Sequence, residues 1–128
     1  MNAPTTWGPA QDVAYHLERA ITKEVGAILL VGGDLVPQAR SVLREAGDWV
    51  QMAVKDVEAM AVKGKKRQAS KAEVLKCLKA AEKKGVEAAK LLFQEKIAAK
   101  DVAAICAAIS DAIARELDAL QALLGLRG

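Results

Sequence analysis

The chain has 128 residues, 52% of them hydrophobic but only 3% aromatic, with 27% charged and a net charge of +3. A chain of that length fits one domain with a substantial core. Alanine supplies most of the apolar content and favours helices over pleated sheets. The two cysteines are too few for a disulfide scaffold, and the longest apolar run, 27–31, falls far short of the roughly 18 residues of a membrane span.

Residues 1–8 read as a flexible N-terminal arm with neither the basic start nor the apolar centre of a signal peptide, so a reducing, cytoplasmic setting is expected. Residues 9–128 read as a single helical-bundle domain. Pro9 suits the first turn of helix 1, where its missing N–H costs nothing. Ala14, Leu17, Ile21, Val25 and Ile28 form its apolar stripe, and Gly32 and Gly33 supply the left-handed geometry that ends it. Asp34 is the expected N-cap of helix 2. Its stripe is Ala39, Leu43, Ala46, Val50, Ala53, Val57 and Met60, and the helix should reach Lys63.

Residues 63–68, KGKKRQ, are the expected linker, after which Ser70 and Glu73 have the S-x-x-E spacing of a capping box. Helix 3 then carries Val74, Leu78, Ala81, Gly85, Ala88 and Leu92, with Gly85 suggesting a close helix crossing. A break is expected near 96–98, with Ala98 at the N-cap, Asp101 in the first turn and Ile97 stapled to Val102. Without that break, one long helix and an arm-exchanged dimer would result. Helix 4 has the most regular stripe of the chain: Val102, Cys106, Ile109, Ile113, Leu117, Leu120 and Leu124. Helices of this length with short connections give an all-α fold, an up-down-up-down antiparallel four-helix bundle.

Chemistry is sparse. The single histidine, His16, falls near the polar side of helix 1 and reads as a solvated residue. No residue set has the spacing of a catalytic, cofactor-binding or metal-ligating group, so neither enzymatic activity nor a cofactor is expected. Cys77 and Cys106 read as buried free thiols. Glu24 and Glu116 fall inside apolar arcs. With flush helix ends they would lie roughly 15 Å apart along the axis, too far to act together. An enzymatic reading would then need a site built between subunits.

Charge is the clearest functional signal. Residues 1–62 carry a net −3, residues 63–90 a net +7 and residues 91–128 a net −1. Lys76, Lys79, Lys83 and Lys90 line the face of helix 3 opposite its apolar stripe, and Lys63, Lys65, Lys66 and Arg67 extend it. Such a face attracts polyanions, but the lack of aromatics and the scarcity of Arg there argue against base reading.

Residues 43–48, LREAGD, with Ala39 before and Val50 after, resemble the L-x-x-x-G-D helix by which death-promoting ligands enter the groove of Bcl-family proteins. The likeness is confined to this stretch, whose apolar positions are the helix's own core stripe. The N-W-G-R turn of the Bcl fold is missing, and no function is carried over.

The expectation is a non-catalytic binding, adaptor or assembly protein acting through helix surfaces, with another protein or a second copy as partner. Trp7, Leu29, Leu30, Val62, Leu75 and Phe93, left off the stripes, are candidates for that contact. The alternative is a sequence-independent binder of nucleic acid or another acidic surface through the basic linker and helix 3.

Overall fold

A computed structural model of the chain describes residues 7–127; the first six positions of the expected arm lie outside the described residues. Four helices follow in order, α1 Ala10–Gly32, α2 Val36–Ala59, α3 Lys65–Leu92 and α4 Ala99–Leu123, before a closing 3-10 turn at Leu124–Leu126. They form the expected antiparallel four-helix bundle. α1 packs closely on α2 and α3 on α4, and the thinner α2–α3 and α1–α4 seams close the ring. No helix among the described residues is long and apolar enough to cross a membrane.

The helix ends differ from the expected ones because tertiary partners take over the capping. Asp34 does not cap α2. It occupies the left-handed position at φ 60 after α1, where Leu35 N–H bonds to Leu30 and Asp34 N–H to Val31. That pattern is a Schellman stop with aspartate in place of glycine, whereas Gly33 is at φ −89. α2 ends at Ala59, short of Lys63, because Lys71 reaches across to donate to the carbonyls of Glu58 and Met60. The turn then reverses at Gly64, φ 90, and α3 begins at Lys65. Ser70 and Glu73 are therefore interior to α3, not a cap, and residues 65–68 of the expected linker are helical.

The other C-termini are closed in the same way. Arg40 donates to the carbonyls of Leu92 and Gln94 at the end of α3, and Arg67 to those of Leu126 and Arg127. Cations at helix C-termini also oppose the macrodipole. The break before α4 falls as expected: Asp101 accepts the N–H of Ala98, the carboxylate half of a capping box. Ile97 and Val102 both pack against the apolar cluster nearby.

Burial agrees with the sequence on two helices and not on the other two. Every expected stripe residue of α2 is buried, and all those of α3 except Gly85. α1 instead buries Val13, Leu17, Ala20, Glu24, Ala27 and Val31. Of its expected stripe only Leu17 is in the core; Ala14, Ile21 and Ile28 are half-buried and Val25 is 45% exposed. α4 buries Ile105, Ala108, Ile109, Ala112, Glu116, Ala119 and Leu123. Of the expected stripe only Ile109 is in the core, while Leu117 and Leu124 are exposed.

Candidate functional site

Three surfaces follow from this packing. The first is the basic face. Lys63, Lys65, Lys66, Lys76, Lys79, Lys83 and Lys90 are all exposed, and none of the ion pairs among the described residues involves them. From Lys65 to Lys90 the line spans about 38 Å at 1.5 Å per residue. Arg67 does not belong to the free patch, because its guanidinium is committed to the C-terminal carbonyls. The adjoining groove between α3 and α4 mixes Lys76, Lys83 and Arg115 with Glu73, Glu87 and Asp118, so its field is not of one sign.

The second surface lies along the α1–α4 seam. The flank of α1 facing α2 is identified by its contacts: His16 with Asp56, Lys23 with Glu45 at 2.9 Å, and Gly26 beside Val42. Ile21, Val25 and Ile28 lie on the opposite flank, and Leu29 beside them is 71% exposed. On α4, Asp111 faces α3, where it meets Lys84. The other flank carries Cys106, Ile113, Leu117, Leu120 and Leu124, with Leu117 52% exposed. The charge bordering them is Glu18, exposed on the same flank of α1 two turns before Val25. The most apolar stripes of two neighbouring helices thus lie side by side at the surface.

Most of the other off-stripe residues are accounted for within the chain. Trp7, Val62 and Leu75 pack on the core cluster of one end, and Leu30 on that of the other. Phe93 is partly exposed beneath the guanidinium groups of Arg40 and Arg44. His16 is not on a solvated face either. Its ring forms a three-membered cluster with those of Tyr15 and Trp49, and its Nδ1 meets Asp56 of α2.

The third feature is a carboxyl pair. Glu24 and Glu116 are 3% and 0% exposed, and their side chains lie within hydrogen-bonding reach of one another. The expected separation was wrong because the helix ends are not flush. Val31, in the last turn of α1, shares an apolar cluster with Ile105, well inside α4. That overhang removes most of the expected offset, and two glutamate side chains span the rest. No protein donor reaches Glu24 Oε1 or either Glu116 oxygen. Two ionised carboxylates offer acceptors and no donor, so a proton must lie between them. Burial pushes Glu24 up to about 7, a rise that its hydrogen bond to Glu116 limits. Burial, and then Glu24 itself, push Glu116 up to about 11. The pair thus retains at least one proton at neutral pH.

Glu24 also forms the floor of a cavity of about 260 Å³ between α2 and α3. Gly47 and Gly85 face each other across it, and a Cβ at either would meet nothing within 4 Å. Gly85 thus marks open space and not the expected close crossing. Both glycines were visible in the sequence; that they share one space with Glu24 is a tertiary fact.

The two cysteines are free and belong to opposite ends of the bundle. Burial, followed by the neighbouring Glu73, raises Cys77 above its ordinary value, which disfavours the reactive thiolate. No group of three or more His, Cys, Asp or Glu suited to a metal ion occurs among the described residues. Leu43, Ala46 and Val50 of the Bcl-ligand-like stretch are buried in the bundle, so that face is not offered to a groove. No protein-family model, no curated protein and no solved structure matches the chain.

Proposed function

We propose that the protein is a non-catalytic assembly module that works through its helix surfaces, and that its partner at the α1–α4 face is a second copy of itself. The observation that carries this reading is the apolar strip formed by Val25 and Leu29 of α1 with Leu117 and Leu124 of α4, bordered on α1 by exposed Glu18. A two-fold interface places each patch against itself, so any charge near the axis would meet its like. The strip is compatible with that symmetry where the axis passes through Val25, Leu29 and Leu117 and leaves Glu18 at the rim, and apolar surface of this kind marks association sites on soluble proteins.

Light scattering and sedimentation test it. The wild type should run as a dimer. A Leu29→Lys/Leu117→Lys variant should run as a monomer with unchanged helix content, since both side chains already reach solvent. A monomeric wild type at tens of micromolar would overturn the reading.

A second reading rests on a different observation, the seven exposed lysines without ion-pair partners. They support a sequence-independent polyanion surface of nucleic acid or acidic protein. A gel shift with duplex DNA that weakens at higher salt, and on changing Lys76, Lys79 and Lys83 to Glu, is its expected signature. Absence of any shift at low salt refutes it.

A further inference from the structure

The cavity between α2 and α3 lies on the side of the bundle away from the α1–α4 face, and neither surface reading uses it. Small residues open it, Ala46 and Gly47 from α2 with Ala81, Gly85 and Ala89 from α3, and larger side chains complete its walls. A glycine inside a helix is less favourable than alanine. Here two of them, in the middle of facing helices, leave space that no side chain fills. The volume, about 260 Å³, exceeds the roughly 150 Å³ of an engineered cavity that admits benzene. By proportion it accommodates a ligand of about ten non-hydrogen atoms.

The floor distinguishes this space from a plain apolar void. Glu24 lines it and is almost wholly buried, and among the described residues no N–H or O–H other than the Glu116 carboxyl reaches its carboxyl group. A ligand that brings a donor on an apolar body would complete the site. The ionisable groups around Glu24 fix the sign of that donor. Glu116 faces it from α4. Arg44 from α2 and Glu82 from α3 stand on the cavity lining, and the Arg44 guanidinium is stacked on Phe93, 5.4 Å from the ring centroid. Near pH 7 the two buried carboxyls therefore hold one proton on Glu116 and a second, half-retained, on Glu24, with no cation seated on them, and a cationic donor gains where an anion is repelled.

We propose that this cavity is a binding site for a small hydrophobic amine, its ammonium hydrogen-bonded to Glu24 and its hydrocarbon body lying between Gly47 and Gly85. The proton exchange balances. The ammonium replaces the proton held on Glu24, which leaves to solvent, while Glu116 keeps its own. Because that proton is half-retained near pH 7, apparent affinity should be about tenfold higher at pH 8 than at pH 6.

The test is calorimetric titration of the full-length protein with 4-phenylbutylamine, 4-phenylbutanol and 4-phenylbutyrate at pH 6 and 8. The amine is expected to bind, more tightly at pH 8, with the alcohol at least tenfold weaker and the acid not detected. Glu24→Gln should abolish the preference for amine over alcohol. That substitution removes a buried ionisable group and keeps the size, so the fold is retained. Gly85→Leu fills the space from a helix-favouring position and should abolish binding of the amine with helix content unchanged. The proposal is overturned if the amine does not bind, if amine and alcohol bind alike, or if either variant binds the amine as the wild type does. The Leu29→Lys/Leu117→Lys variant should bind the amine normally, which separates this site from the assembly face.

Discussion

Replacing Glu116 with Gln should stabilise the protein, by an amount that grows with pH. The unfolded chain releases this proton near the ordinary carboxyl value of 4.5, whereas the folded chain holds it to about 11. Above pH 4.5 the folded state therefore binds more protons than the unfolded one, and stability must fall as pH rises. The loss is about 1.4 kcal/mol per pH unit for each proton so retained. From pH 4.5 to 7 this amounts to about 3 kcal/mol for Glu116. Glu24 adds a loss of similar size that ends near pH 7, its folded-state value. Gln cannot ionise, and its amide can donate to Glu24, so the Glu116 share disappears. Urea unfolding followed by circular dichroism at pH 5, 6, 7 and 8 reads this directly, with the slope confirming a common surface exposed. The wild-type midpoint should fall steadily across the series, and that of Glu116→Gln by about half as much up to pH 7, the share that Glu24 leaves, and little beyond it. The difference should be small at pH 5 and reach about 2–3 kcal/mol at pH 7. Parallel curves would refute the buried pair, because a solvated glutamate titrates alike in both states.

Four further outcomes follow from local geometry. Gly85→Ala should raise stability by about 1 kcal/mol, seen as a melting-temperature increase of a few degrees, because a Cβ there meets nothing within 4 Å. Asp34→Gly should add about 0.5–1 kcal/mol in urea unfolding by relieving a non-glycine residue at φ 60. Gly125→Ala should cost about 1–3 kcal/mol in the same assay, because its Cβ would overlap the side chain of Ser70. Arg40→Met keeps the apolar stem but leaves the carbonyls of Leu92 and Gln94 without their donor, and should speed amide exchange at the end of α3 before any other helix end.

The sequence was legible where one arc of a helix is apolar and the rest is not. α2 and α3 each have a single stripe bounded by charge, so periodicity alone placed Leu43, Val50, Val57, Val74, Leu78 and Leu92 in the core. The ends were less legible because their partners are remote in sequence. Lys71, Arg40 and Arg67 each cap a helix end other than their own, and no local pattern announces that. The Glu24–Glu116 pair was missed for a related reason. Each residue stood in an apolar arc on its own helix, and only the stagger between α1 and α4, which loop lengths do not fix, brings the two together.

α1 and α4 were misread for a different reason. Both have apolar arcs wide enough for two stripes, a bulky one and a small one. α1 offers Ile21, Val25 and Ile28 beside Ala20, Glu24 and Ala27; α4 offers Ile113, Leu117 and Leu120 beside Ala112, Glu116 and Ala119. Hydrophobicity alone selects the bulky stripe, but the bundle buries the small one. Alanines permit the close backbone approach of tightly packed helices, and the bulky residues flanking them are displaced to the edge of the seam. That displacement leaves unburied the apolar surface whose removal from water is the main force in folding, worth about 25 cal/mol for each Å² covered. A second bundle laid across the seam would recover it. In such a dimer Val25, Leu117 and Leu124 would be buried, as the periodicity of α1 and α4 says they should be, and off-stripe Leu29 with them, against a partner that one chain does not contain.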